Sequence, residues 1–321
     1  MTQYIVRRIL ISIPLLFGIS IITFIIINLA PGDPISAMVN PLEEAVLPSY
    51  VLEEMKKSLG LDKPMPVRYV IWLKEAFTGN LGYSYHTKQP VLQMVLGRLP
   101  TTISLMVSAH AIGIVLGITL GVISAIRQYS KMDFSLTVAA FFMVSVPEFF
   151  FALTGMFIFS VALGWLPTFG MWTAGSETGF NWDLIHHAVL PVLALSLRDI
   201  AGYMRYTRAS MLDSLSADFV TTARAKGLSE RLVLWKHAFR NGLIPIVTII
   251  GLSLPSLIGG ALIIETIFAW PGVGDLAYQA LVGRDYPLQM AVLLMLAVAI
   301  LAANLFTDVL YAFVDPRIRH S

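Results

Sequence analysis

Six stretches of this chain, 9–29, 103–126, 134–163, 188–206, 243–268 and 288–314, are dominated by apolar residues and carry very few charges. A helix rises about 1.5 Å per residue, so roughly 20 apolar residues cross the ~30 Å hydrocarbon core of a bilayer. A helix also pairs its own backbone polar groups, which lipid cannot do for it. No other feature narrows the fold as far: the chain is expected to be an all-α membrane protein with six transmembrane helices. Composition agrees, with 56% hydrophobic and 13% charged residues among 321. Cysteine is absent, which excludes disulfides, thiolate metal sites and cysteine nucleophiles. A formal net charge of +2 is too small to point to nucleic acid as a partner. Arg7 and Arg8 precede the first run as they would in a signal peptide. That run exceeds an h-region of about 7–15 residues and no A-x-A site follows, so it reads as a retained anchor.

Six crossings place both termini on one side. Arg7, Arg8, Arg127, Lys131, the basic residues from Arg205 to Arg240, and Arg317 and Arg319 fall on that side, whereas the facing loops near 164–187 and 269–287 hold only Arg284. By the positive-inside rule the termini and the Arg205-to-Arg240 loop are cytoplasmic. The resulting division is a first crossing over 1–29, an extracytoplasmic segment over 30–98, and a five-helix core over 99–321 with a cytoplasmic loop at 207–242. Ala30-Pro31-Gly32-Asp33-Pro34 stops the first helix. Within the segment, Leu52, Met55 and Leu59 share a helical face ending at Gly60, and Pro66 suits the start of a second helix before Val67, Val70 and Ile71. The segment reads either as a solvated cap or as a docking surface for an extracytoplasmic partner.

The loop runs T-T-A-R-A-K-G-L-S-E-R-L-V-L-W-K-H-A-F-R-N-G-L-I-P over 221–245. Phe219 to Lys226 forms one helix in this reading, Gly227 ends it in a left-handed conformation, and Ser229 caps a second. Thr221, Thr222, Ala223 and Ala225 are small enough for another protein to approach closely. Leu228, Leu232, Trp235 and Phe239 supply apolar contact. Arg224, Lys226, Arg231 and Lys236 either meet acidic groups on a partner or serve only as positive-inside anchors.

This stretch resembles the EAA motif of permease subunits in binding-protein-dependent ABC importers, a pattern of E-A-A, three residues, Gly, nine residues and I-x-L-P. Aligned on Gly227, Thr221, Thr222 and Ala223 occupy the E-A-A positions and His237 to Arg240 the I-x-L-P positions; only Ala223 and Gly227 match the general form. T-A-R-A-K-G-L-S followed by H-A-x-R-N-x-L-I-P is closer to the B-type permease of oligopeptide and dipeptide importers. The likeness extends along the chain, through Ile13-Pro14, Ala30 to Pro34, Gly79-Asn80-Leu81-Gly82-Tyr83-Ser84, Pro90-Val91, Arg98-Leu99-Pro100, Glu265-Thr266-Ile267-Phe268, Pro271-Gly272-Val273-Gly274 and Arg284-Asp285-Tyr286-Pro287.

That resemblance implies a type I ABC importer permease fold. It also implies that Thr221, Thr222, Ala223, Arg224, Ala225, Lys226, Gly227, Leu228, Ser229, Glu230 and Arg231 form a coupling helix seated on a cytoplasmic ATPase. A second homologous permease, two ATPase subunits and an extracytoplasmic peptide-binding protein are the implied partners, with ATP and Mg held by the ATPases. This chain is expected to carry no cofactor, metal or catalytic residue of its own: it contains no G-x-x-x-x-G-K-[ST], HExxH or G-x-S-x-G pattern. Short peptides are the expected solute. The alternatives are nickel chelates, glutathione or another small solute on the same architecture, and, in another class, a passive channel.

Charges inside the bilayer cost at least about 2.5 kcal/mol each at mid-depth and need partners or water. Glu148, Arg198, Asp199, Glu265 and Asp308 are the cases to explain. Arg198 and Asp199 are neighbours about 100° apart on a helix and are expected to find separate partners. They form, with Glu148 and Tyr203, the candidate lining of a solute route, or else fix the bundle as interhelical pairs. Glu265 and Asp308 are expected to be hydrated near helix ends. Ala109, Gly113, Gly117, Gly121 and Ala125 make a small-residue stripe along the second crossing, a close helix contact within the chain or between chains. Pro147, Pro191, and Gly251, Pro255, Gly259 and Gly260 are possible bends in the third, fourth and fifth crossings. His186 and His187 stand at a helix entrance, without the cluster a metal needs.

Overall fold

A computed structural model describes residues 2–29, 35, 48–257 and 261–314, with side chains described except at 2–5, 254, 256 and 308–314. The expectations for Ala30 to Pro34, Gly259, Gly260, Arg317, Arg319 and the Asp308 side chain lie outside the described residues. Among the described residues the chain is helical throughout, apart from turns and one isolated bridge, Tyr83 to Pro90. The helices are α1 (Thr2–Leu29), α2 (Ser49–Ser58), α3 (Met65–Phe77), α4 (Val91–Ile126), α5 (Lys131–Ser145), α6 (Glu148–Gly155), α7 (Trp182–Ser216), α8 (Asp218–Ala225), α9 (Glu230–Leu232), α10 (Arg240–Ser253), α11 (Leu262–Ile267), α12 (Val273–Val282) and α13 (Tyr286–Val314).

Four of these, α1, α4, α7 and α13, are long and apolar enough to cross a membrane, and α5 with α6 makes a fifth if that bent pair is one span. The expected single run over 134–163 is therefore two arms, bent by 101°. Val146 is extended and Pro147 precedes α6, because a residue before proline is pushed out of the helical region. A π-helical turn, Met156–Ala162, continues α6. The expected run over 243–268 is interrupted: α10 ends at Ser253, a 3-10 turn follows at Leu254–Leu257, and α11 begins only at Leu262. Pro191 leaves α7 unbroken, consistent with the tolerance of membrane helices for proline.

The described chain forms two compact units, residues 1–102 with 271–305, and residues 103–270 with 306–321. In the first unit, α2 ends at Leu59 and Gly60 turns with φ +68°, while α3 carries proline in its first turn, where a missing N–H costs nothing. Val91, Val95, Val273, Leu276, Leu288 and Ala291 make its core. Two motifs some 200 positions apart meet there. The buried Asp285 carboxylate accepts from Ser84 Oγ at 2.5 Å, the Tyr85 amide at 3.0 Å and the Leu288 amide at 3.3 Å. His86 Nε2 stands 2.6 Å from the Gly283 carbonyl.

The second unit is built around α7. Leu105 and Ala109 of α4, Ala152 of α6, Leu190, Val192, Ala194 and Leu195 of α7, and Ile264 and Phe268 of the α11 region form one core cluster. Ala140 of α5 packs on Ala201 and Met204. Lipid tails are as apolar as these side chains, so dispersion and interhelical hydrogen bonds, rather than transfer from water, hold the helices together.

Candidate functional site

The 218–239 loop has two sides. Val220 and Ala223 of α8 and Val233 and Ala238 beyond the turn are buried against Val122, Ala125 and Met211, at one end of α4 and α7. Ala223 is 4% exposed, so among the small residues of the loop it faces inward and belongs to the seat. Thr221, Thr222, Ala225, Lys226 and Arg231 face outward, as do Leu232 at 40% and Trp235 at 51% exposure. Leu228 and Phe239 are half-buried against the same core, with Phe239 edge-on to Trp235 at 5.1 Å. Gly227 adopts φ +76° and closes α8. A Cβ there would meet nothing within 4 Å, so its need is conformational, not steric.

Ser229 occupies the N-cap of the next helix, but its side chain makes no capping bond. Instead Arg224 spans the turn to Glu230, with Nε to Oε1 at 2.8 Å, so this cation is partnered inside the loop. α9 runs through a π-helical turn, Val233–Phe239, directly into α10. The loop thus continues without a flexible joint into a helix of the bundle. Beneath it, Asp133 ties three elements together: it accepts from Arg208 Nε and Nη2 of α7 at 2.7 and 2.8 Å, from Ser124 Oγ of α4 at 2.5 Å, and from the Tyr129 amide. Ser130 caps α5 by accepting from the Asp133 amide. Neither Asp133 nor Arg208 was singled out from the sequence, because each reads alone as a charge near a helix end.

Deeper along α7, the glycine stripe packs directly on it. A Cβ on Gly113 would stand 2.5 Å from the Asp199 Cβ, one on Gly117 2.6 Å from the Tyr203 Cβ, and one on Gly121 2.5 Å from the Thr207 Cβ. Ala109, buried at 2%, extends the stripe. The close contact is therefore within the chain, between α4 and α7.

That approach brings together a polar network. Asp199 Oδ2 lies 2.7 Å from His110 Nδ1 on α4, and His110 Nε2 lies 3.0 Å from Tyr203 Oη and 2.8 Å from Ser253 Oγ on α10. With Nδ1–H donating to the carboxylate, Nε2 is left to meet the hydroxyls. His110 and Tyr203 are 6% and 3% exposed, so Tyr203 belongs to this buried network in this conformation. His110 was missed: a lone histidine inside an apolar run was not counted among the charges. Glu265 also departs from expectation, being wholly buried at the start of the α11 core instead of hydrated.

Arg198 points elsewhere. Its side chain is 73% exposed and reaches Glu148 Oε1, in the first turn of α6, at 3.7 Å. Arg198 lies about 24 Å along α7 from Trp182, near the middle of the helix. Its guanidinium is thus largely open and is joined to its carboxylate by a long contact. Arg198 and Asp199 thus have separate partners. His186 Nε2 lies 2.9 Å from the Trp165 carbonyl and His187 Nδ1 2.9 Å from the Asp183 carbonyl, so one ring ties down the preceding loop and the other stays within the first turns of α7.

The family model for binding-protein-dependent transport system inner membrane components matches residues 117–320, and its N-terminal counterpart matches residues 1–106. The oligopeptide transport system permease protein AppB of Bacillus subtilis is 44% identical over 322 residues, covering all of both chains. The dipeptide transport system permease protein DppB of Alkalihalophilus pseudofirmus is 38% identical over 337 residues, again covering all of both. The di/tripeptide transport system permease protein DppB of Pseudomonas aeruginosa is 36% identical, over 100% of this chain and 99% of the relative.

Proposed function

The chain belongs to the family of binding-protein-dependent transport system inner membrane components, a multi-pass membrane permease family, and from that premise we propose that it is one permease of an ATP-driven importer of short peptides. The names of its full-length relatives support peptides over nickel chelates or glutathione. In this reading the interrupted stretch from α10 to α11 is the fifth crossing and brings the count to six, both termini and the 218–239 loop are cytoplasmic, and residues 30–98 face the extracytoplasmic binding protein.

The observation that carries the proposal is the two-sided loop, with a seat of Val220, Ala223, Val233 and Ala238 inside the chain and an outer face of Thr221, Thr222, Ala225, Leu232 and Trp235 left uncovered. A lever needs that construction: one side fixed to the helices that must move, the other free to receive a partner. ATP and Mg bind in two partner ATPases, whose closure pushes the loop; ATP shifts the assembly toward the outward-facing state because it binds that state better. A second homologous permease completes the solute route, with Arg198 and Glu148 on the lining. Their opposite charges suit the two ends of a zwitterionic peptide.

The cysteine-free chain makes the test direct. Thr222→Cys, reacted in native membranes with a short reagent carrying a maleimide for the thiol and an active ester for lysine amines, is expected to link to an ATPase subunit, and Ala223→Cys is expected not to link. Linkage from neither position, or equal linkage from both, contradicts the docking face.

A further inference from the structure

The first unit contains a cavity of about 390 Å³ where α1 ends, lined by Asn28, Lys63, Arg68, Trp72 and Tyr85 among others. None of these residues takes part in the loop or the route. Two polar atoms on this wall are buried without a hydrogen-bond partner, Asn28 Oδ1 and Trp72 Nε1. The other half of the Asn28 amide is in use, donating to the Phe24 carbonyl at 2.7 Å. Burial pushes the Tyr85 phenol up to about 12, so it remains a neutral donor. Lys63 and Arg68 contribute two positive charges, and Glu75, which accepts from Asn80 at 2.8 Å, contributes one negative. An acceptor, an N–H donor and a net positive charge are thus left without a counterpart among the described residues.

Trp72 also lines a second cavity, of about 270 Å³, whose walls are nearly all apolar: Ile13, Leu16 and Phe17 of α1, Phe77 of α3, and Leu294 and Val298 of α13. From Ile13 to Asn28 the two together follow α1 for about 22 Å. That length matches one leaflet of acyl chain, about half of the ~30 Å hydrocarbon core, followed by a polar head. The aromatic ring system of Phe24, Tyr69 and Trp72 stands at the junction, with the Arg68 guanidinium 6.0 Å over Phe24. Aromatic and cationic side chains gather where hydrocarbon gives way to headgroups.

We propose that this unit holds one glycerophospholipid, its phosphate facing Lys63 and Arg68 and bonded by the Trp72 indole N–H, one acyl chain lying in the apolar groove along α1. Asn28 Oδ1 accepts from a headgroup hydroxyl or ammonium. The bound lipid fills the junction among α1, α3 and α13 and satisfies both orphaned atoms. The inference does not depend on which solute the protein carries.

The test is native mass spectrometry of the full-length chain, purified in mild detergent with the subunits that accompany it and supplied with deuterated palmitoyl-oleoyl phosphatidylglycerol. One lipid per chain is expected to resist washing. Lys63→Gln and Arg68→Gln are each expected to weaken retention about fivefold, the worth of one cation near a lipid surface. Trp72→Phe keeps the ring, removes the donor and is expected to cost a comparable factor; it keeps the question decidable if the charge variants fold poorly. Arg127→Gln, which lines neither cavity, serves as the unchanged control. Ala76→Phe obstructs the apolar groove and is expected to lower lipid retention as well. If Ala76→Phe has no effect while millimolar inorganic phosphate displaces the lipid, the site is one for a free anion and the proposal fails. Equal retention by the wild type, the charge variants and Trp72→Phe reduces the bound lipid to unspecific annulus and overturns it too.

Discussion

Arg198 and Asp199 are adjacent in sequence, yet they belong to two differently built faces of α7. Asp199 stands on the face that meets α4, where glycines bring backbones so close that no Cβ fits and where its carboxylate bonds His110, which in turn meets Tyr203 and Ser253. Arg198 stands on a face with one long contact to Glu148 and a side chain 73% exposed. The first face is complete within the chain. The second is left open among the described residues, and the outer side of the 218–239 loop is open in the same way. Substitutions at the seam are therefore expected to cost stability, and substitutions on the open faces to cost transport.

The largest effect is expected at the seam itself. Gly121→Leu places a side chain against Thr207 Cβ and the Met204 carbonyl at 2.5 and 2.7 Å. Overpacking typically costs about 1–3 kcal/mol, and a backbone obstacle makes the upper end the expectation. Little monodisperse protein should emerge in size-exclusion chromatography; a variant as stable as wild type would dissolve the distinction between the faces. Next comes His110→Leu, which withdraws the shared partner of Asp199, Tyr203 and Ser253 and should lower stability by about 1–3 kcal/mol. Thermal unfolding in detergent measures it.

Gly227→Val is smaller in stability and larger in consequence. A left-handed conformation costs an L residue about 1–2 kcal/mol, and relief of that strain would turn the outward side of α8 away from its partner. ATP hydrolysis is expected to continue while peptide uptake in proteoliposomes falls; parallel loss of both, or of neither, argues against a lever. Arg198→Gln is expected to leave the unfolding midpoint nearly unchanged and to reduce uptake roughly tenfold, the worth of one hydrogen bond to a charged group. Destabilisation equal to that of His110→Leu would show that Arg198 is part of the framework after all. Glu230→Gln should do least, since an exposed pair with Arg224 contributes below about 1 kcal/mol.

Much of this was legible in the chain, for physical reasons that also mark where legibility ends. Apolar run length reports helices well because spanning a bilayer is a local demand, met by consecutive residues. Gly227 and the small-residue stripe were visible for the same reason, as a backbone need at one position and a repeat every four residues. The 101° bend at Pro147 and the break after Ser253 changed how the apolar runs divide, because hydropathy does not register helix direction. Partnerships were hidden when they joined distant residues. His110 meets Asp199 and Ser253 from 89 and 143 positions away, and Asp285 meets Ser84 across 201. No periodicity carries such pairs. Glu265 was misjudged because its place near a helix end implied water, while the fold closes over it completely.

If the outer side of the 218–239 loop and the Arg198 face of α7 are completed by other chains, those chains should travel with this one, and native mass spectrometry of the tagged chain, purified gently from its own membrane, shows it. One related permease and two ATPase chains are expected to accompany it. A lone chain or a homo-oligomer, reproducible across several mild detergents, would contradict this and leave the open faces of α7 and the loop without their explanation.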